Sequence, residues 1–164
     1  MKKHESSFAA EELSFRYANL NDEAILLAWR NDPKVRKYSR MSDSIDLNVH
    51  AKWFSERLIV IETQPIFIFQ WKLKNVGMIR LDSSNNSLNI YEINIIVEES
   101  FQNLGFATSM ILQILKLAKN ELSGREIRAV IHKENTNSIR LFTNLNFVRI
   151  PNIEGEFQEY RIYL

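Results

Sequence analysis

Gln102, Gly105 and Ala107 stand at the spacing Q-x-x-G-x-A within "ESFQNLGFATSMILQIL", residues 99 to 115. The chemistry that such a stretch offers is the holding of phosphates. A strand is expected to end at Val97, a polar turn follows, and an amphipathic helix begins near Gly105. The first N–H groups of a helix have no partner inside it and the helix dipole makes that end positive, so a strand–turn–helix junction is a natural anion site. Glycine at 105 lets a diphosphate approach the backbone, and Ala107 avoids a clash just inside the helix. Glu98 and Glu99 precede the turn and no basic side chain stands beside it in the chain. Binding here is therefore expected from oriented amides rather than from cationic side chains.

Other chemistries are bounded by what the chain lacks. It has no cysteine, which removes disulfides, thiolate metal sites and a thiol nucleophile. Its three histidines lie far apart without ligand spacing, and the scattered Asp and Glu form no calcium or zinc signature. No metal is expected.

The elements that must position the turn follow from hydrophobic periodicity. Residues 1 to 12 read as a loose polar leader, and 13 to 164 as one domain. "LSFRY" (13–17) alternates like a strand. Asn21 and Asp22 offer N-cap chemistry for a helix carrying Ile25, Leu26 and Trp29, ended by "NDP" at 31 to 33. A second helix fits Ser44 or Asp46 to Ile59, with Leu47, Trp53, Phe54 and Leu58 as its apolar members. "IFIFQWK" (66–72) and "VGMIRLD" (76–82) read as strands, "SSNNS" (83–87) as a hairpin loop, and "LNIYEINIIV" (88–97) as the strand after it. The pattern is helical from Gly105 to Leu122 and is stopped by Ser123-Gly124. "IRAVI" (127–131) is a strand of the buried type. A short helix over 135 to 145 and the strands "FVRI" and "EYRIYL" finish the chain. This order predicts an α/β fold: a single mixed, mainly antiparallel twisted sheet of six to seven strands, with about four helices on both faces.

Composition agrees with an ordinary globular domain: 25% charged residues, 45% hydrophobic and a formal net charge of +1. No Lys/Arg stripe interleaved with aromatics suggests a nucleic-acid partner. No stretch approaches the roughly 18 to 20 apolar residues that span a bilayer, and "MKKHESSFAAEEL" has no apolar run of the secretory type. A cytoplasmic protein without membrane or nucleic-acid partners is expected, as a monomer or homodimer.

Thirty residues after Gly105 comes Asn135, opening "N-x-x-S-x-x-x-F-x-x-x-N-F" through Ser138, Phe142, Asn146 and Phe147. The two motifs together, in this order and on these elements, resemble the GCN5-related N-acetyltransferase (GNAT) superfamily from Leu13 onward. The resemblance implies a GNAT fold with acetyl-coenzyme A (acetyl-CoA) as co-substrate. It places the pyrophosphate on Gln102, Asn103, Leu104, Gly105, Phe106, Ala107 and Thr108, and further cofactor contacts on Asn135, Ser138 and Phe142. The thioester carbonyl would meet backbone N–H groups at Ile95, Ile96 and Val97. Many members carry tyrosine where Phe142 stands, as general acid for the departing thiolate; phenylalanine has no proton to give. The amine nucleophile must lose a proton, so a carboxylate or a water held by one is wanted near the reaction centre. Glu92 occupies the place of the glutamate in the "E-I-G-Y" strand of related acetyltransferases, with Asn94 on the same strand parity. Glu92 also reads simply as a solvated position on an alternating strand.

"WRNDPKVR" (29–36) followed by "HAKWF" (50–54) resembles a branch of this superfamily that acetylates nucleotide-linked amino sugars in pseudaminic-acid synthesis. That resemblance implies acceptor contacts from Arg30, Trp53 and Arg80. Arg30, Arg36, Arg40 and Arg80 could meet a nucleotide diphosphate bidentately, and Trp53 or Trp29 could stack on a base or sugar. Trp29 and Trp53 equally read as core at helical spacing, His50 as a packing histidine, and Arg36 and Arg40 as a solvated loop. The acceptor alternatives are a protein N-terminus or a small polyamine. A non-catalytic acyl-CoA-binding module is the third reading, kept open by Phe142.

Overall fold

The computed structural model describes residues 12–83, 89–151 and 155–164. The expected leader, apart from Glu12, and the hairpin loop after Ser83 lie outside the described residues. The strands are β1 (Leu13–Tyr17), β2 (Ile66–Trp71), β3 (Lys74–Ser83), β4 (Ile90–Val97), β5 (Glu126–His132), β6 (Val148–Arg149) and β7 (Phe157–Tyr163). Among the described residues they form one seven-stranded sheet in the order β1-β2-β3-β4-β5-β7-β6. Every neighbouring pair is antiparallel except β4 and β5. The helices are α1 (Glu23–Asn31), α2 (Pro33–Arg36), α3 (Leu47–Ile59), α4 (Phe106–Asn120) and α5 (Thr136–Asn144).

Side chains alternate across a strand, and the sheet buries both of its faces. Phe67, Phe69, Ile79, Leu81, Tyr91, Ile93, Ile127, Ala129 and Ile131 point to one side. There they pack with Met110, Ile111, Ile114 and Ala118 of α4 and Phe142 of α5. Ile66, Ile68 and Met78 point to the other, against Leu26 and Trp29 of α1 and Phe54 of α3. This double burial explains why "IFIF" at 66–69 shows no polar alternation. On α3 the buried stripe is His50, Trp53, Phe54, Arg57 and Leu58, the i, i+3, i+4, i+7, i+8 spacing of one helix face. Leu47, expected on that face, is off the stripe and 57% exposed.

Three local expectations are corrected. The chain enters α1 through a 3₁₀ turn, Leu20–Asp22, capped by Asn19 rather than by Asn21 or Asp22. Asp22 is 3% exposed and its carboxylate is taken by Arg16 at 2.7 and 2.8 Å and by the Asn19 N–H at 2.8 Å, as a buried charge requires. "NDP" does not simply end α1: Asp32 accepts from the Lys34 N–H and starts α2, a fifth helix, with Pro33 in its first turn. The main helix α4 closes at Asn120, two residues before Leu122.

One glycine marks a close approach that shapes the site. A Cβ on Gly77 would lie 2.2 Å from the Ile96 carbonyl oxygen, so only glycine lets β3 sit this tightly against the end of β4.

Candidate functional site

Parallel pairing of β4 with β5 covers only Ile90↔Glu126, Tyr91↔Ile127 and Glu92↔Arg128. Beyond Glu92 the strands part, while β4 stays in register with β3 up to Val97↔Gly77. The Glu98 N–H donates to the Val76 carbonyl at 2.8 Å. By the two-residue alternation of a ladder, Asn94 and Ile96 also turn their N–H groups to β3, and those of Ile95 and Val97 face the gap. The expectation of three oxyanion donors is thereby narrowed: Ile96 spends its N–H inside the sheet and packs its side chain against the α1–α3 core.

The turn at the mouth of this gap is built from local devices. Glu98 caps a 3₁₀ turn over Glu99–Phe101. Gln102, expected to face the ligand, donates from Nε2 to the Val97 carbonyl at 3.0 Å and ties the turn to the strand end. Asn103 and Gly105 take positive φ, +61° and +86°, and a Cβ on Gly105 would meet nothing within 4 Å. Helix α4 starts at Phe106 with no side-chain cap. Among the described residues its first backbone bond back to the turn is Ser109 N–H to the Gly105 carbonyl, 3.2 Å. The N–H groups of Phe106, Ala107 and Thr108 are thus free for an anion. Phe106 offers only its backbone, because its ring is 2% exposed between Trp71 and Phe101. Leu104 is 54% exposed, and Asn103 and Thr108 are exposed.

Across the gap, Asn135 caps α5 by accepting from the Ser138 N–H at 3.2 Å. Phe142 is 3% exposed and packs edge-on against Phe147, centroids 4.9 Å apart. Its ring is part of the core, so little of it is left for contact with a pantetheine arm.

A basic side chain does reach the turn, contrary to the reading from neighbouring residues. Lys34 of α2 is paired with Glu99, and this hydrogen bond raises the Lys34 pKa. Trp29, Asp32, Lys34 and Val35 together with Ile96, Val97, Glu99 and Gln102 line a small notch there, about 30 Å³.

The face of the sheet under α1–α3 is a charged floor. Asp82 is its hub: Arg57 Nη2 lies 2.7 Å from one carboxylate oxygen, and Arg80 Nε and Asn94 Nδ2 each donate to the other at 3.0 Å. Arg57 is 8% exposed, and burial lowers its pKa while Asp82 opposes that shift. The Arg80 guanidinium lies over the Trp53 ring, 5.5 Å from its centre. Glu92 is paired with Arg40, with 26% of its side chain exposed. Arg30 donates from Nη2 to the Met41 carbonyl at 2.6 Å. Burial pushes the Arg30 pKa down, and the positive charges of Arg80 and Arg36 push the same way. Arg30 Nη1 and Arg36 Nε are buried without a partner among the described residues. Arg30, Trp53, Arg80, Glu92 and Asn94 thus share one side of the sheet. Arg57 and Asp82 were not anticipated, although Arg80, Asp82, Glu92 and Asn94 lie opposite one another in the β3–β4 register. Among the described residues no group of three or more His, Cys, Asp or Glu is placed to hold a metal, and no helix is long and apolar enough to cross a membrane.

Known structures share the fold. The chain is similar to the Vibrio cholerae spermidine N-acetyltransferase solved with CoA and spermine, with a TM-score of 0.81 over 93% of this chain and 96% of that one, at 19% identity. It is also similar to a domain from Methanocaldococcus jannaschii, with a TM-score of 0.80 over 93% and 98%, at 23% identity. The third is Salmonella typhimurium yncA, solved with acetyl-CoA, with a TM-score of 0.74 over 93% and 94%, at 16% identity. At these identities the likeness is one of fold: a mixed α/β acetyltransferase sheet. Residues 12–148 match the profile of the acetyltransferase (GNAT) domain, and the chain belongs to that family. A relative named uncharacterized N-acetyltransferase p20, from Bacillus licheniformis, is 26% identical over 165 residues, 92% of this chain and 84% of its own. The protein is an N-acetyltransferase with acetyl-CoA as its acetyl donor, and the residues present fit that donor. The uncapped start of α4 and the open space beside Gly105 suit a diphosphate, and the parted β4 and β5 leave backbone N–H groups facing the gap.

Proposed function

We propose that this chain acetylates the primary amine of a small molecule that also carries an anionic group, of the nucleotide-linked amino-sugar type. One observation carries the choice of acceptor: Arg30 is half-buried, which lowers its pKa, the positive charges of Arg80 and Arg36 push the same way, and Arg30 Nη1 and Arg36 Nε are buried without a partner among the described residues. Like charges in one place, with donors left unsatisfied, are costly until an anion joins them. Arginine forks match phosphate oxygens bidentately. A polyamine of the spermidine kind, the substrate named for the Vibrio cholerae structure, is itself a polycation. It would need free carboxylates, whereas both Asp82 and Glu92 already hold arginines.

In this reading the donor's pyrophosphate lies on the N–H groups from Leu104 to Thr108, its pantetheine arm between β4 and β5, with Asn135 and Ser138 on the far wall. The bound thioester supplies an activated acetyl group. Glu92, where the strands part, takes the proton of the acceptor amine directly or through a water held with Asn94, whose Nδ2 donates to Asp82. The N–H groups of Ile95 and Val97 face the negative charge that develops on the acetyl oxygen. With no cysteine in the chain, the amine attacks directly. Phe142 gives the leaving thiolate no proton.

The test is thiol release from acetyl-CoA with three acceptors in parallel: a UDP-linked aminohexose, spermidine, and a peptide with a free N-terminus. Turnover is expected on the nucleotide sugar, with kcat/KM at least about a hundredfold above spermidine, a gap in keeping with a site that leaves buried charges unpaired for the wrong ligand. Preference for spermidine or the peptide would refute the acceptor assignment. Acetyl-CoA binding without turnover on any amine would favour a binding module instead.

A further inference from the structure

Arg40 has a place in the site that the floor's other arginines do not share. Arg57 and Arg80 are held by Asp82, and Arg128 by Glu126 on its own strand and, more distantly, by Glu159. Arg161, opposite Arg128 on β7, is likewise held by Glu159 and Glu126. Each of these arginines sits on a regular element with its partner on the same or a neighbouring one. Arg40 comes from the irregular segment between α2 and α3, its side chain is 56% exposed, and it reaches across to Glu92. Among the described residues it is the only ion-pair partner of Glu92.

Two neighbours fix where Arg40 stands. Tyr38, two residues earlier, lies against His132 at the far end of β5, ring centres 5.8 Å apart. Met41, one residue later, is held by its carbonyl on Arg30 Nη2. The segment therefore spans the gap where β4 and β5 part, from the end of β5 to the arginine cluster. An anion entering that cluster arrives one residue away from Arg40.

We infer that Arg40 is a positioning residue that latches Glu92: with no acceptor bound its guanidinium occupies the carboxylate, and the acceptor's anionic group draws it off. This rests on the anionic-acceptor reading above. The chemistry permits the exchange, because a half-exposed ion pair is weak and a diphosphate, with one negative charge on each phosphate, is a better partner for a planar fork than one carboxylate. The consequence is selectivity. An amine without the anion finds Glu92 still engaged by a cation, which both blocks an oxygen and repels the ammonium form of the amine. The acceptor's phosphate and the freeing of its base become one event.

The test reads binding rather than turnover, with UDP as the probe and calorimetry on the full chain. Removing the carboxylate leaves Arg40 nothing to release, so Glu92→Gln is expected to bind UDP about three- to fivefold tighter than the wild type, the range in which a half-exposed pair falls. Arg40→Ala is expected to bind it more weakly, and the double variant to match Arg40→Ala with no gain from Glu92→Gln. Circular dichroism on each variant separates these shifts from misfolding. A wild type that binds UDP while Glu92→Gln binds it no tighter would overturn the latch and leave the acceptor reading standing. A wild type that does not bind UDP at all would overturn both.

Discussion

On one face of β4, Tyr91 and Ile93 sit in the larger core with α4 and α5, and the strand's parted edge presents backbone N–H groups to the gap. On the other, Glu92 and Asn94 join a floor of arginines and carboxylates beneath a smaller core of α1 and α3. The donor side is built from neighbours in sequence: Gln102 ties back to Val97, and Gly105 opens α4. The side proposed for the acceptor is assembled across the chain: Arg40 to Glu92, Arg57 to Asp82, Arg30 to Met41. Only one of these halves is free to change its chemistry. In the proposed reading, backbone amides hold the donor phosphate whatever the side chains do, whereas a floor of charged side chains can be rewritten for a new acceptor without disturbing the donor.

The most damaging single substitution falls in the smaller core. Phe54 is fully buried there, and Phe54→Ala should cost about 3–5 kcal/mol of stability. Urea unfolding would measure it. The donor turn lies on the opposite core, so the surviving folded fraction should still bind acetyl-CoA while its acceptor KM rises. Next is Glu92→Gln, expected to lower kcat by about 10²- to 10⁴-fold, the usual worth of a general base, with the acetyl-CoA KM unmoved. Unchanged steady-state kinetics would remove Glu92 from the mechanism.

Much of the strand, turn and helix from β4 to α4 could be read from residues in order, and the reasons are physical. Strand alternation and the helical stripe of α4 are local periodicities, and the turn's glycine has a conformational reason, its φ of +86°. The half proposed to hold the acceptor resisted because its partners are distant in the chain. Lys34 beside Glu99 and Arg40 on Glu92 are 65 and 52 residues apart in sequence, and no local pattern announces such pairs. Helix α2 was missed because Pro33 reads as a stop after α1 and also as a start, and four residues carry no period. Phe142 showed the opposite failure. Its place in the motif suggested a face toward the cofactor, and packing against Phe147 encloses it.

Gly105→Ala tests the donor half alone. The left-handed backbone strains any L side chain there, and the new Cβ would point into the space left for phosphate. Acetyl-CoA affinity should fall about tenfold, with the acceptor preference unchanged. A smaller effect should appear on the acceptor side in mild acid. Burial lowers the His50 pKa from its ordinary value, with Glu23 opposing, so the neutral ring is the one the fold favours. Its stabilising contribution is complete above the unfolded value near 6.5 and is lost as pH falls through the lower folded value. The melting temperature should decline from about pH 7 toward pH 5, and His50→Gln should flatten that decline.

The most direct measurement is kcat/KM for a UDP-linked aminohexose against the same aminohexose without the nucleotide, in the wild type and in Arg30→Ala. An arginine cluster that reads the acceptor's charge predicts a wild-type preference for the nucleotide form of about a hundredfold or more. In Arg30→Ala that preference should shrink about tenfold through KM, with acetyl-CoA binding intact. Equal rates on the two sugars, or a preference that survives Arg30→Ala unchanged, would contradict it.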